Sequence, residues 1–125
     1  MTGWITPESS EDYLTLWADM PEATDPALAL ALDVARDACL SYLPVNTATG
    51  HPVNVATGKT VDPEAEVLPA GWLAAQVLHA QHVTARMRAG NGEGGVEGFV
   101  PSTLPLVWEA RVLLRPKGSP LGGLL

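Results

Sequence analysis

The chain has 125 residues with 46% apolar side chains and a formal charge of −7, enough for one domain with a modest core. Residues 1–68 hold eleven acids against only Arg36 and Lys59, whereas residues 69–125 hold three acids against five bases. No broad basic surface is available to grip nucleic acid by its phosphates, and the single cysteine, Cys39, excludes an intrachain disulfide and fits a reducing compartment.

The N-terminus MTGWITPESSEDY has neither a basic nor an apolar run, so no secretory signal is expected. Thr6-Pro7-Glu8 has the form of a helix start, and Tyr13, Leu14 and Trp17 would give a short helix one apolar stripe before Pro21 closes it. Asp25-Pro26 repeats the start signal. Leu28, Leu32, Ala35, Cys39 and Tyr42 then advance with helical spacing, and Leu30, Val34 and Ala38 widen the stripe. This run is too short and too polar at Asp33 to span a bilayer, and a soluble intracellular product is expected.

Residues 44–68 differ in kind, with four prolines up to Pro69 and a near-repeat in which PVNTATGH at 44–51 is followed by PVNVATGK at 52–59. Alternation of Val53, Val55 and Thr57 predicts a strand, paired as a hairpin with Val45, Thr47 and Thr49. Pro69 opens a further helix with Trp72, Leu73, Val77, Ala80, Thr84 and Met87 on one side, ending near Gly90. After a glycine-rich loop, Thr103 and Pro105 suggest a last short helix with Trp108, Val112 and Leu113 facing inward, stopped by Pro116. The expected fold is mainly α: a small helical bundle over 1–115 with a loop or hairpin at about 44–68, and an extended arm at 116–125.

Candidate chemistry is sparse. Gly58-Lys59-Thr60 ends like a phosphate-binding loop, but Val53 stands where its first glycine should be and no helix follows directly. Gly90, Gly92 and Gly95 match a dinucleotide fingerprint but follow a helix instead of a strand. His79 and His82 share a helix face without an assignable third ligand, and solvated or interface histidines are expected. Cys39 has no local base or oxyanion site and reads as a small buried apolar residue. No catalytic, metal or cofactor residues are assigned. A wide apolar helix face, a long loop, the charge asymmetry and a tail ending LGGLL suit a subunit that completes its packing in an assembly.

The stretch ITPESSEDYLTLWADMPEATDPALALALDVARDACLSYL resembles the opening of head-to-tail connector (adaptor) proteins of long-tailed bacteriophages. PAGWLAAQVLHAQHVTARMRAG is similar to their second long helix, and WEARVLLRPKG to the closing motif of connectors from phages of actinobacteria. The 44–68 segment has no counterpart in that pattern. The resemblance implies a virion protein of the neck: a ring of twelve copies beneath the portal, followed by the next neck or tail-completion protein. DNA would pass through the ring without sequence-specific binding. On this reading Arg111, Leu114, Arg115, Pro116, Lys117, Leu121, Leu124 and Leu125 would dock onto a partner, most simply the portal. Asn46, His51, Asn54 and Lys59 would face the channel or a neighbouring subunit. The alternative is a small cytosolic regulatory domain that binds one protein partner.

Overall fold

The computed structural model describes residues 3–92 and 105–116, with the side chains of 89–92 left aside. Helix α1 spans Pro26–Tyr42, α2 Ala70–Gly92 and α3 Trp108–Leu114, with a two-stranded antiparallel sheet of β1 (Val53–Asn54) and β2 (Lys59–Thr60) between α1 and α2. The molecule is mainly helical, a small bundle carrying one hairpin insertion.

Helix α1 begins where its sequence dictates. The Asp25 carboxylate accepts the Ala27 N–H at 2.9 Å, and Pro26 supplies a preset first residue. The helix closes with the Leu43 N–H on the Cys39 carbonyl, and Pro44 lacks the N–H needed to continue it. Leu28, Ala31, Leu32, Ala35 and Cys39 form its buried face, while Leu30 lies outside the bundle, exposed. The expected N-terminal helix is instead a run of turns around one 3-10 segment, Ser10–Tyr13. The Ser9 and Ser10 hydroxyls donate to the Thr6 and Pro7 carbonyls, an alternative that competes with helical hydrogen bonding. Of its expected stripe, Trp17 is buried, Tyr13 half-buried and Leu14 exposed.

Helix α2 is the central element. Trp72, Ala75, Val77, Ala80 and Val83 are all buried, as are the polar Gln76, His79 and Thr84. Two apolar clusters flank it. One gathers Trp4, Cys39, Leu43, Val61, Leu68, Trp72, Ala75 and the inward residues of α3. The other gathers Ile5, Trp17, Leu28, Leu32, Val77, Ala80 and Val83. Adjacent residues Trp4 and Ile5 enter different clusters, as alternating side chains of an extended segment do. Trp4 stacks on Trp72 with ring centroids 5.8 Å apart and planes 13° from parallel.

Gln76 lies between the clusters and joins three elements. Its Oε1 accepts the Ile5 N–H at 2.8 Å, and its Nε2 donates to the carbonyls of Ile5 at 3.0 Å and Leu32 at 3.1 Å. Gln76→Leu keeps the volume but leaves buried backbone groups of Ile5 without partners. Denaturant unfolding should show a loss of about 2–4 kcal/mol, against a few tenths for an exposed polar exchange.

Segment 44–66 is built from one turn used three times. Asn46, Asn54 and Asp62, eight residues apart, each accept on side-chain Oδ1 the N–H two residues on, at 2.9, 3.0 and 3.0 Å. Each also takes the N–H groups three and four residues on with its own carbonyl. In the first two units Gly50 and Gly58 close the turn at φ +76° and +75°, and the Thr49 and Thr57 hydroxyls accept the N–H groups of His51 and Lys59. The third unit has Glu66 in place of glycine, and its carboxylate reaches back to the Asp62 N–H at 2.7 Å. The sequence repeat predicts two units, and the third carries only the weaker sign of Val61-Asp62, eight residues after Val53-Asn54.

This geometry replaces the expected pairing of one arm with the other over 45–57. The strands are the short links between turns, with Val45 opposite Pro52 and Val53 opposite Thr60, and Val55 and Thr57 lie in a turn. The chain meanders, so the first and third turns lie at one end and the second at the other. Val61 anchors the meander in the core, while the tips at 47–50 and 56–59 are exposed. Space around Gly50 and Gly58 is open, so alanine at either meets only the left-handed backbone penalty. Thermal unfolding of Gly58→Ala should report about 1–2 kcal/mol of destabilisation.

Candidate functional site

Helix α3 turns a different face to the core than its apolar residues suggest. Leu106, Ala110 and Leu114 are buried, whereas Trp108 is 67% exposed and Val112 lies exposed one turn on. Trp108, expected to point inward, therefore stands on the outside with Val112, and Leu113 is half-buried. The helix begins at Trp108 with Val107 as its cap, three residues after Pro105, and Thr103 lies outside the described residues.

The proposed docking residues divide accordingly. Leu114 is fully buried and belongs to the core, so it is no part of a docking surface in this conformation. Arg111 is exposed and already helical, its Nε donating to the Leu106 carbonyl at 2.9 Å. The Arg115 guanidinium lies 4.8 Å from the centre of the Tyr42 ring, and its Nε donates to the Tyr42 carbonyl at 2.9 Å. Arg115 thus ties α3 to the end of α1. Pro116 is half-buried, and Lys117, Leu121, Leu124 and Leu125 lie outside the described residues.

Among the loop candidates, Asn46 and Asn54 use their side-chain oxygens to form their turns, and Asn46 Nδ2 donates to the Thr60 hydroxyl at 3.0 Å. His51 and Lys59 occupy equivalent positions after the turn glycines. His51 Nε2 lies 3.9 Å from an Asp62 carboxylate oxygen, and Lys59 is exposed on β2. The Gly58-Lys59-Thr60 stretch is the closing turn and second strand of a hairpin, a geometry that presents no helix N-terminus to a phosphate.

One open groove of roughly 690 Å³ lies between residues 3–6, one face of α1 and the first and third turns. Leu40, Pro52 and Pro63 provide apolar lining, and His51, Asp62 and Glu64 provide polar groups. Arg36 on the α1 wall is already paired with Asp33 at 3.5 Å and Asp37 at 3.2 Å. The unbalanced charge along this rim is acidic.

His79 also departs from expectation: it is fully buried on α2 instead of solvated or at an interface. Its Nδ1 accepts the Val107 N–H at 3.3 Å, while its buried Nε2 has no hydrogen-bond partner among the described residues. Burial, followed by the nearby His82, pulls its pKa down to about 4 from an ordinary 6.5. Burial pushes the Cys39 thiol up to about 12, which keeps it protonated and poorly nucleophilic. Among the described residues no three His, Cys, Asp or Glu side chains gather as a metal site requires, and no helix is long and apolar enough to cross a membrane.

The chain matches no protein-family model, no curated protein and no solved structure.

Because His79 binds a proton less readily folded than unfolded, its contribution to stability is complete above pH 6.5 and is lost as pH falls through 4. The slope from this one group should approach about 1.4 kcal/mol per pH unit between those values. His79→Gln retains an acceptor for Val107 without the titration. Denaturant unfolding at pH 7 and pH 5 should show a smaller difference for the variant than for the parent chain.

Proposed function

We propose that the chain is a structural subunit of a bacteriophage neck, a head-to-tail connector that assembles as a ring beneath the portal and continues the DNA channel. The resemblance to connector sequences on either side of the 44–68 segment, within residues 5–118, supports the class. The observation that carries the assembly role is the outward stripe of Trp108 and Val112 on α3, large apolar side chains that a monomer leaves in water. Exposed Leu14, Leu16 and Leu30 add further apolar surface.

The reading needs interfaces and no catalytic step, metal or cofactor. Twelve copies would surround the channel, with the portal above and a tail-completion protein below. The excess of acids in residues 1–68 suits a conduit, since carboxylates along its wall would repel DNA phosphates and reduce adhesion. The segment after α3, with Lys117, Leu121, Leu124 and Leu125, supplies the portal contact.

Deleting residues 116–125 leaves the core residue Leu114 and the Arg115 bond to Tyr42 in place. Co-sedimentation with portal should nevertheless be lost. Unchanged attachment of the truncated chain would refute the tail as the portal contact, and absence of the protein from electron micrographs of virion necks would refute the role itself.

A further inference from the structure

We propose that the acid-rimmed groove receives the outer face of α3 from a second copy of this chain, so that neighbouring subunits join head to tail. The inference rests on the ring-subunit reading and names the two surfaces that its copies share.

Each surface is incomplete in a complementary way. On α3, Trp108 and Val112 are one turn apart and lie about 200° around the helix from Ala110 and Leu114, the residues sunk in the core. Arg111 lies beside one edge of this stripe and Glu109 beside the other, both exposed. The groove offers an apolar lining at Leu40 and Pro63 with the carboxylates of Asp62 and Glu64 on its rim. Its volume, roughly 690 Å³, is ample for an indole ring and its neighbours. Trp inserted in an apolar pocket with Arg at the margin is the composition that dominates protein interfaces. The charges add direction: with Arg111 toward the carboxylates of Asp62 and Glu64 the contact is attractive, whereas the reversed orientation would set Glu109 against them.

One molecule cannot satisfy both surfaces by itself. Arg36 and Leu40, one turn apart on α1, line the groove, whereas Tyr42, about 200° around the helix from Leu40, faces Arg115 of α3. The α3 stripe and the groove therefore flank α1 on different sides, and a contact between them must run from one copy to the next. Contacts of two unlike patches extend into rings when the rotation closes.

Two surface variants separate the halves of the contact. Trp108→Ala removes the insert but leaves the groove intact, and Glu64→Arg reverses the rim but leaves α3 intact. Both sites are exposed, so thermal melts should confirm an unchanged fold. Sedimentation velocity should show concentration-dependent association of the parent chain, weakened at least tenfold in either variant. An equimolar mixture should form one-to-one dimers and stop there, because only one sound contact can form per pair. Arg111→Glu combined with Glu64→Arg should restore association lost in the single variants. A parent chain that stays monomeric at millimolar concentration, or a mixture no more associated than its components, overturns the proposal. Portal binding by such a monomer would preserve the connector reading while the groove contact fails. Association through these surfaces with no affinity for portal would do the reverse.

Discussion

The Gln76 amide is the constraint on which the arrangement depends. It lies on α2 between Ala75, which packs in one apolar cluster, and Val77, which packs in the other. A bundle this small could slide along such a seam if only apolar contacts held it, because hydrophobic burial is non-directional. Three directional bonds, two to Ile5 and one to Leu32, fix the N-terminal segment and α1 against α2 at one register. With Ile5 fixed, Trp4 is delivered to its stack on Trp72, and the floor of the groove is set.

Burial of α2 on nearly every side has a consequence for function. Its histidines, threonine and two glutamines are drawn into the core or its edge, where they serve as packing and positioning groups. Among the described residues, much of the exposed surface lies on what surrounds α2: the outer face of α3, the exposed wall of α1 and the meander. Those elements hold the exposed large apolar residues Leu30, Val45, Trp108 and Val112, and the acidic rim.

Local signals made the helical framework legible. Asp25-Pro26 marked the start of α1, and the spacing of Trp72, Val77, Ala80 and Thr84 marked the inward side of α2. The facing of α3 was not legible, since Leu106, Val107, Trp108, Ala110, Val112, Leu113 and Leu114 are apolar at almost every phase. Only the position of the helix against Leu43 and Trp72 decides that Leu114 is core and Trp108 is surface. His79 was missed for a related reason. A histidine beside apolar residues carries no local sign of depth, and its partner, the Val107 N–H, is 28 residues away. The N-terminal turns depart from the expected helix because Ser9 and Ser10 can satisfy backbone carbonyls without one, a competition that spacing does not reveal.

The period-eight meander shows how a repeat can separate structure from recognition. In each unit the Asn or Asp is committed to the turn through its own Oδ1. The residue five positions on is not, and it is His51, Lys59 and Val67 in successive units. These three side chains differ while the side-chain oxygen bond that opens each turn stays the same. The first and third turns meet at the groove, where His51 and Asp62 face one another, and the second carries Lys59 to the opposite end. A surface that must fit a neighbour can therefore be altered at one position per unit without disturbing the hydrogen bonds that hold the meander. On that division of labour, Asn46 and Asn54 set the shape, and the His51 and Lys59 side chains stand outside the hydrogen bonds that hold the turns.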